Sequence, residues 1–306
     1  MKKNALITEG AGFLGLAAAK YFKDQEYEIY GIGRKNSFNK NELLEESFKD
    51  FIESNLTKKS LNNFSNVKFD LILNCASNSS ISNSINNPGM DYDHSVKSID
   101  ALIEYIDMYQ NDTNLIFPSS AAVYGEVKNI PIQEENEKKP ISPYGINKLI
   151  SENKIIEFGK SKNLKVDVIR FFSLYGPNQR KQILWDAANK FSQNNDNVEF
   201  SGDGNETRDF IFISDAIKII NLVHLNKSSS FIVNGGTGKC VKIMEVLKYL
   251  QDIMGSKSKL TFNGKSRLGD PRFLNADMTN LGNLGFKQKV TLNDGLKIFY
   301  DWFKEI

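Results

Sequence analysis

The sequence predicts an α/β fold: a doubly wound parallel sheet followed by a smaller C-terminal domain. Three observations carry this. Over the first 170 residues, short apolar runs alternate with longer helical patterns. Strands this apolar belong in a sheet covered on both faces, and strands separated by helices pair in parallel. A glycine-rich turn joins the first such strand to the first helix, and after Tyr175-Gly176-Pro177 the alternation gives way to helices and turns such as Gly202-Asp203-Gly204.

Taken in order, Ala5-Leu6-Ile7-Thr8 reads as the first strand and Phe13 to Lys23 as the first helix. Glu28 to Ile32, Phe69 to Leu73, Leu115 to Phe117 and Val166 to Phe171 continue the sheet, with helices expected near 42–49, 96–109 and 144–160. Ser142-Pro143 is an N-cap and first-turn pair that starts the last of these. Helices near 182–192, 214–226, 242–254 and 293–304 follow, and Phe231-Ile232-Val233 reads as a strand returning to the first domain. The 306 residues suit about two domains of about 150 each. In sheets of this kind the ligand sits at the carboxyl ends of the strands.

Composition removes several classes. With 40% hydrophobic and 25% charged residues the chain can bury a core and is not compositionally disordered. Lys plus Arg is 39 against 37 Asp plus Glu, and the basic residues do not cluster, so neither nucleic acid nor a membrane surface is an expected partner. Two Cys (Cys75, Cys240) and two His (His94, His224) lie too far apart in sequence for a disulfide framework or a zinc site. The start, Met1-Lys2-Lys3-Asn4, is not a signal peptide, and there is no run of about 18 apolar residues. The expected setting is the cytoplasm.

The first chemical motif is Thr8-Glu9-Gly10-Ala11-Gly12-Phe13-Leu14-Gly15. Gly10, Gly12 and Gly15 satisfy GxGxxG between a strand and a helix, where glycines let the backbone approach a pyrophosphate seated on the helix N-terminus. Glu9 is unusual, because a carboxylate repels bound phosphates. The second strand ends at Gly33-Arg34. An acid expected there, about 20 residues past the glycines, would bind the 2′-hydroxyl of NAD. Arg34 suits the 2′-phosphate of NADP instead. The cofactor is therefore read as NAD(P), with NADP(H) favoured over NAD(H) on Arg34 and Gly33, and Glu9 pulling the other way.

The second motif is Tyr144-Gly145-Ile146-Asn147-Lys148, a YxxxK pattern whose ends share one helix face. An ammonium beside a phenol lowers the Tyr pKa from about 10 and makes it a usable acid/base for a sugar hydroxyl. Tyr124-Lys128 and Tyr300-Lys304 have the same spacing. The first sits in a loop broken by Gly125, and the second lies beside Trp302 and Phe303 in a helix that reads as core packing. Ser120, at the end of the Leu115 strand, is the expected partner of Tyr144.

These residues resemble the extended short-chain dehydrogenase/reductases, specifically the nucleotide-sugar epimerase/dehydratase family in its UDP-galactose 4-epimerase-like form. The landmarks are the glycine loop, Asn55-Leu56, Asn74-Cys75-Ala76-Ser77, Ser119 to Gly125, Ser142 to Lys148, Arg170-Phe171-Phe172-Ser173, Gly202 to Phe210 and Arg267-Leu268-Gly269-Asp270. The resemblance implies a dinucleotide-binding Rossmann domain over 1–174. A mostly nucleotide-sugar substrate domain would span 175–306, with a segment near 209–235 returning to the first. Ser120 and Tyr144 would handle the hydroxyl proton. Lys148 would hold the nicotinamide ribose. Gly10, Gly12, Phe13, Leu14, Gly15, Arg34, Asn55, Leu56, Cys75, Ala76 and Ser77 would line the cofactor. Ser79, Ser120, Ser173, Phe200, Arg208 and Arg267 would meet the substrate, the two arginines through its diphosphate.

Departures refine the expectation. The family's loop begins with Gly where this chain has Glu9, and its acid after the second strand is Gly33 here. Ser173 and Ser95 stand where Asn is usual. Ala121-Ala122 replaces the Asp-Glu pair with which family dehydratases eliminate water, so no 4,6-dehydratase activity is expected. The function read from the sequence is NAD(P)-dependent oxidation at C4 of a nucleotide sugar through a 4-keto intermediate, with net 4-epimerisation. The alternatives are a net 4-dehydrogenase or 4-ketoreductase, and a non-catalytic dinucleotide-binding protein. A homodimer is plausible, since Leu102, Ile103, Ile106 and Tyr109 form an apolar stripe that either pairs helices between subunits or packs on the sheet. The family association also suggests surface-glycan biosynthesis.

Overall fold

The computed structural model describes residues 2–34, 41–77, 80–128, 130–227 and 230–306. The chain begins β1 (Asn4–Thr8), α1 (Phe13–Asp24), β2 (Glu28–Gly33), α2 (Asn41–Ser47), β3 (Asp50–Glu53), α3 (Lys58–Leu61) and β4 (Leu71–Asn74). It continues α4 (Ile81–Asn86), α5 (Pro88–Tyr92), a π turn at Asp93–Lys97, α6 (Ser98–Tyr109), β5 (Asn114–Ser120), α7 (Pro143–Lys162) and β6 (Val166–Phe171). The strand expected from Phe69 pairs only from Leu71. Phe69 itself is held by its N–H to Gln110 Oε1 at 3.0 Å.

The later elements are β7 (Ser173–Tyr175), α8 (Gln182–Ser192), β8 (Asn197–Phe200), β9 (Thr207–Phe212), α9 (Ile213–Leu225), β10 (Ile232–Gly235) and β11 (Cys240–Lys242). Then come α10 (Ile243–Met254), β12 (Lys259–Phe262), α11 (Thr279–Asn283) and α12 (Leu292–Lys304).

Seven strands form one sheet in the order β10-β6-β5-β4-β1-β2-β3, every neighbouring pair parallel. Alternate residues feed opposite faces. Leu6, Ile72, Leu115, Phe117 and Val168 pack on Leu61, Leu102, Tyr105, Ile106 and Ile155 of α3, α6 and α7. Ala5, Ile7, Leu71, Leu73, Ile116 and Ile169 pack on the α1 and α9 side. That second core runs on without a break into the C-terminal helices through Leu184, Phe191, Leu247 and Phe299. There β11-β9-β7 and β12-β8 form two small sheets.

The α6 stripe belongs to this core: Leu102 and Ile106 are buried against the sheet, and Ile103 and Tyr109 pack at its margin. Outward, α6 and α7 are linked by Lys154–Asp100 at 2.7 Å and by Lys162–Asp107. Among the described residues no helix is long and apolar enough to cross a membrane.

The chain leaves β1 toward one edge of the sheet and returns at β4 to build toward the other. Adjacent strands whose connections diverge open a crevice at their carboxyl ends. Thr8 and Asn74 close the base of it: Thr8 Oγ1 donates to Asn74 Oδ1 at 2.6 Å and accepts from Ala76 N at 3.0 Å.

Beneath β5 lies a buried ionic network. Arg170 Nη2 donates to Glu152 Oε2 at 2.8 Å, and its Nε donates to both carboxylate oxygens at 3.2 Å. Its Nη1 donates to Tyr124 Oη at 3.0 Å and to the Glu134 carbonyl at 2.9 Å. Ser119 Oγ donates to Glu152, and Tyr124 Oη donates to Asn234 Oδ1 at 2.7 Å. Both ionic groups are almost wholly removed from solvent, so losing one leaves the other uncompensated. Glu152→Gln is therefore expected to cost about 3–5 kcal/mol in chemical denaturation; a loss below about 1 kcal/mol would mean that the network tolerates neutralisation.

Candidate active site

The glycine loop turns because its residues allow close approach. Gly12 N–H donates to the Glu9 carbonyl at 2.8 Å, and Gly10 N–H donates to the Ile32 carbonyl of β2 at 3.1 Å. A Cβ on Gly15 would overlap the Glu9 carbonyl, and one on Gly12 would lie 3.0 Å from it. α1 starts at Gly12 with no side chain capping it and no acid in its first turn. Its N–H groups and dipole are thus available to an anion. Phe13 and Leu14 open the helix over this cradle. Asn55 and Leu56 lie just past β3 and beside the end of β2, where Ser54 N–H bonds the Gly33 carbonyl at 3.2 Å. Cys75, Ala76 and Ser77 follow β4 at the crevice floor. Burial pushes the Cys75 thiol up to about 12, so it stays protonated. Ser79, expected to meet substrate, lies outside the described residues.

Glu9 adopts φ 47°, the left-handed region that disfavours side chains. Its carboxylate forms an ion pair with Arg34 Nε at 3.8 Å. Burial raises its pKa, while Arg34, His94 and Lys181 hold it down. Arg34 thus faces a carboxylate, and the sequence expectation that it favours NADP finds no support in this geometry.

Ser120 ends β5 and Tyr144 begins α7. One close approach brings them together, and a cap fixes the helix start. A Cβ on Gly145 would sit 2.6 Å from the Ala122 carbonyl, so only glycine lets α7 press on the turn after Ser120. The Ser142 hydroxyl accepts from Gly145 N–H at 3.2 Å and caps the helix. Tyr144 N–H also donates to Ser84 Oγ at 3.1 Å, which joins α4 to the site. The half-buried Tyr144 phenol hydrogen-bonds Ser120.

Burial raises the Tyr144 pKa, the Ser120 hydrogen bond lowers it, and Asp91 raises it. This departs from the sequence expectation that Lys148 lowers it. Lys148 instead donates to the Pro118 carbonyl at 2.7 Å and lies over the Phe117 ring at 4.6 Å. Burial pushes its ammonium down to about 8. Sequence reasoning missed Asp91, a buried carboxylate accepting from Asn147 Nδ2 at 2.6 Å; nothing in its sequence neighbourhood marks it.

The remaining candidates come from the C-terminal part. Arg208 Nη2 pairs with Asp270 at 2.7 Å, and its Nη1 donates to the Thr207 carbonyl at 2.8 Å. Arg267 is exposed three residues before Asp270. Gly269, at φ 75°, packs so closely on Ser142 that a Cβ would lie 2.9 Å away. That contact brings the loop carrying Arg267 to the start of the Tyr144 helix. Ser173 stands half-buried at the start of β7. Phe200 is not open to a ligand through its ring, which is buried against Phe191 and Phe262. Its carbonyl accepts from Asn263 N–H at 3.0 Å. Of the competing YxxxK pairs, Tyr124 is core, in the Arg170 network. Lys304 lies over the Tyr300 ring at 4.9 Å on α12. Among the described residues no cluster of three or more His, Cys, Asp or Glu could hold a metal.

The crevice fits a dinucleotide. Its cradle at Gly12 and Gly15 excludes side chains, the start of α1 is uncapped, and among the described residues the buried Lys148 ammonium donates to the Pro118 carbonyl alone, which leaves donors for ribose hydroxyls.

Lys148 also links pH to stability. The unfolded chain keeps this proton to about pH 10.5, the folded one to about 8. Between those values only the unfolded state is protonated, so this contribution to stability rises with pH across that window. The full penalty, about 3 kcal/mol, is present below pH 8. Lys148→Met is expected to melt above wild type at pH 7, with the gap closing near pH 10.5. A variant melting below wild type at pH 7 would show that the ammonium is paired with an anion.

A model of the NAD dependent epimerase/dehydratase family matches residues 5–235. YtcB of Bacillus subtilis, described as an uncharacterised UDP-glucose epimerase, is 30% identical, covering 95% of both chains. A UDP-glucose 4-epimerase of Lactobacillus helveticus is 27% identical over 98% of this chain and 96% of its own. The crystal structure of Thermotoga maritima UDP-glucose 4-epimerase with UDP-glucose matches with TM-score 0.91 at 27% identity, covering 99% of each chain. Family model, relatives and fold agree with the geometry of the crevice, and the chain belongs to the NAD dependent epimerase/dehydratase family.

Proposed function

We propose that the chain is an NAD-dependent 4-epimerase of a UDP-activated sugar. The observation that carries this reading is the Ser120–Tyr144 hydrogen bond at the carboxyl end of β5, beside the buried Lys148 ammonium. Bound NAD supplies oxidising and reducing equivalents at C4 of the sugar. Tyr144 takes the proton of the C4 hydroxyl and returns it to the same oxygen once the 4-keto sugar has turned its other face to the nicotinamide. Ser120 shares that hydrogen bond and holds the oxygen in line. Lys148 orients the ribose on the nicotinamide side through the donors that Pro118 leaves free. Arg267, and Arg208 beside Asp270, meet the diphosphate, which suits guanidinium geometry.

Burial keeps the free phenol protonated at neutral pH, the form needed for the reductive half. The oxidative half needs a cation nearer the ring, a part that Lys148 can take once its ammonium swings from Pro118. Ala121 and Ala122 offer no acid or base for elimination, which supports epimerisation without loss of water. A net 4-dehydrogenase or 4-ketoreductase would share this chemistry, and the lean toward it from Arg34 as a phosphate ligand weakens, because Arg34 faces Glu9.

Tyr144→Phe is expected to lose at least about 10²-fold in interconversion of UDP-glucose and UDP-galactose while still binding NAD. Unchanged turnover in that variant, or wild-type protein inert toward a panel of UDP-hexoses, would sink the proposal.

A further inference from the structure

Glu9 and Gly33 form a reciprocal pair. Glu9 occupies a strained left-handed turn position that glycine would take without cost, at φ 47°. A strained residue in a ligand clamp is a pointer to function. Gly33 sits where dinucleotide folds place the acid that binds the adenosine ribose. Here it cannot carry one: a Cβ on Gly33 would lie 2.9 Å from Glu9 Cα and 3.2 Å from Gly10 N. The loop and the end of β2 are tied by the Gly10 N–H to Ile32 carbonyl bond. The carboxylate missing from β2 therefore reappears across that contact, on the loop, with Arg34 at 3.8 Å.

We propose that Glu9 replaces the β2 acid: its carboxylate accepts the adenosine ribose hydroxyl of NAD and repels the 2′-phosphate of NADP. This rests on the reading of the crevice as a dinucleotide site. Arg34 acts as the counter-ion that keeps Glu9 charged, not as a phosphate ligand. A carboxylate accepts from a hydroxyl strongly and opposes a phosphate dianion at the same place. The strain of the turn is thereby kept for discrimination between the two cofactors.

The test is calorimetric titration of the full chain, stripped of nucleotide, with NAD and with NADP, beside a thermal melt of each variant. Wild type is expected to bind NAD at least about tenfold more tightly than NADP. Glu9→Gln should weaken NAD about tenfold and narrow the preference. Glu9→Gly folds readily, since glycine accepts this φ, and should lose the preference as well. Tighter or unchanged NAD binding by Glu9→Gly would overturn the inference and leave Glu9 an obstacle, while the epimerase reading survives. Equal affinity of wild type for both cofactors also overturns it. If neither wild type nor Glu9→Gly binds any dinucleotide, the inference and the proposed function fall together.

Discussion

The buried pair of Arg170 and Glu152 is the constraint on which the active site depends. Arg170 comes from β6, Glu152 from α7, and Ser119 from β5 binds the same carboxylate. Ser119 precedes Ser120, and Glu152 lies one helical turn beyond Lys148. The pair thus sets the depth at which the Tyr144 helix rests on the strand that carries Ser120. Through Tyr124, Asn234 and Glu134 it also holds the returning strand β10 and α11. Two desolvated charges are a poor source of net stability and a strong source of geometric definition, since few other arrangements satisfy both.

The crevice follows from backbones pressed closer than side chains permit. Gly145 lets α7 meet the turn after Ser120, Gly15 lets α1 meet the loop, and Gly269 lets the arginine loop meet Ser142. Each contact joins a different element to the same small volume. The C-terminal part adds its arginines without a separate core, since the hydrophobic layer under α1 and α9 continues into α8, α10 and α12. The arginine-bearing side and the glycine-loop side of the crevice are therefore held by one packed body.

The site opposes stability at two points. The buried Lys148 ammonium donates to a backbone carbonyl, and Glu9 holds a left-handed turn. Both are costs borne by the free protein, and the proposed dinucleotide site would give each a use. Cys75 and Tyr124, by contrast, are reactive types silenced by burial, each held near 12.

By itself the sequence determined most of the sheet, because wholly apolar strands and capped amphipathic helices leave few alternatives, while the edge strand β3, with Asp50 and Glu53 exposed at its ends, lacks that pattern. It also singled out Ser120, Tyr144 and Lys148, since the Ser142-Pro143 start sets Tyr144 and Lys148 on one helical face. It could not say where charges end. Arg34 read as a phosphate ligand until its neighbour across the β1–β2 contact proved to be Glu9. Lys148 read as tuning the Tyr144 phenol, whereas its ammonium donates to the Pro118 carbonyl and the phenol hydrogen-bonds Ser120. Phe200, whose backbone read as facing a nucleotide base, has its ring in the core, and Asp91 carried no signal. Local patterns decide secondary structure through period and capping. Ionisation and pairing depend on which distant segments meet and on how much water they exclude, and only the tertiary structure decides that.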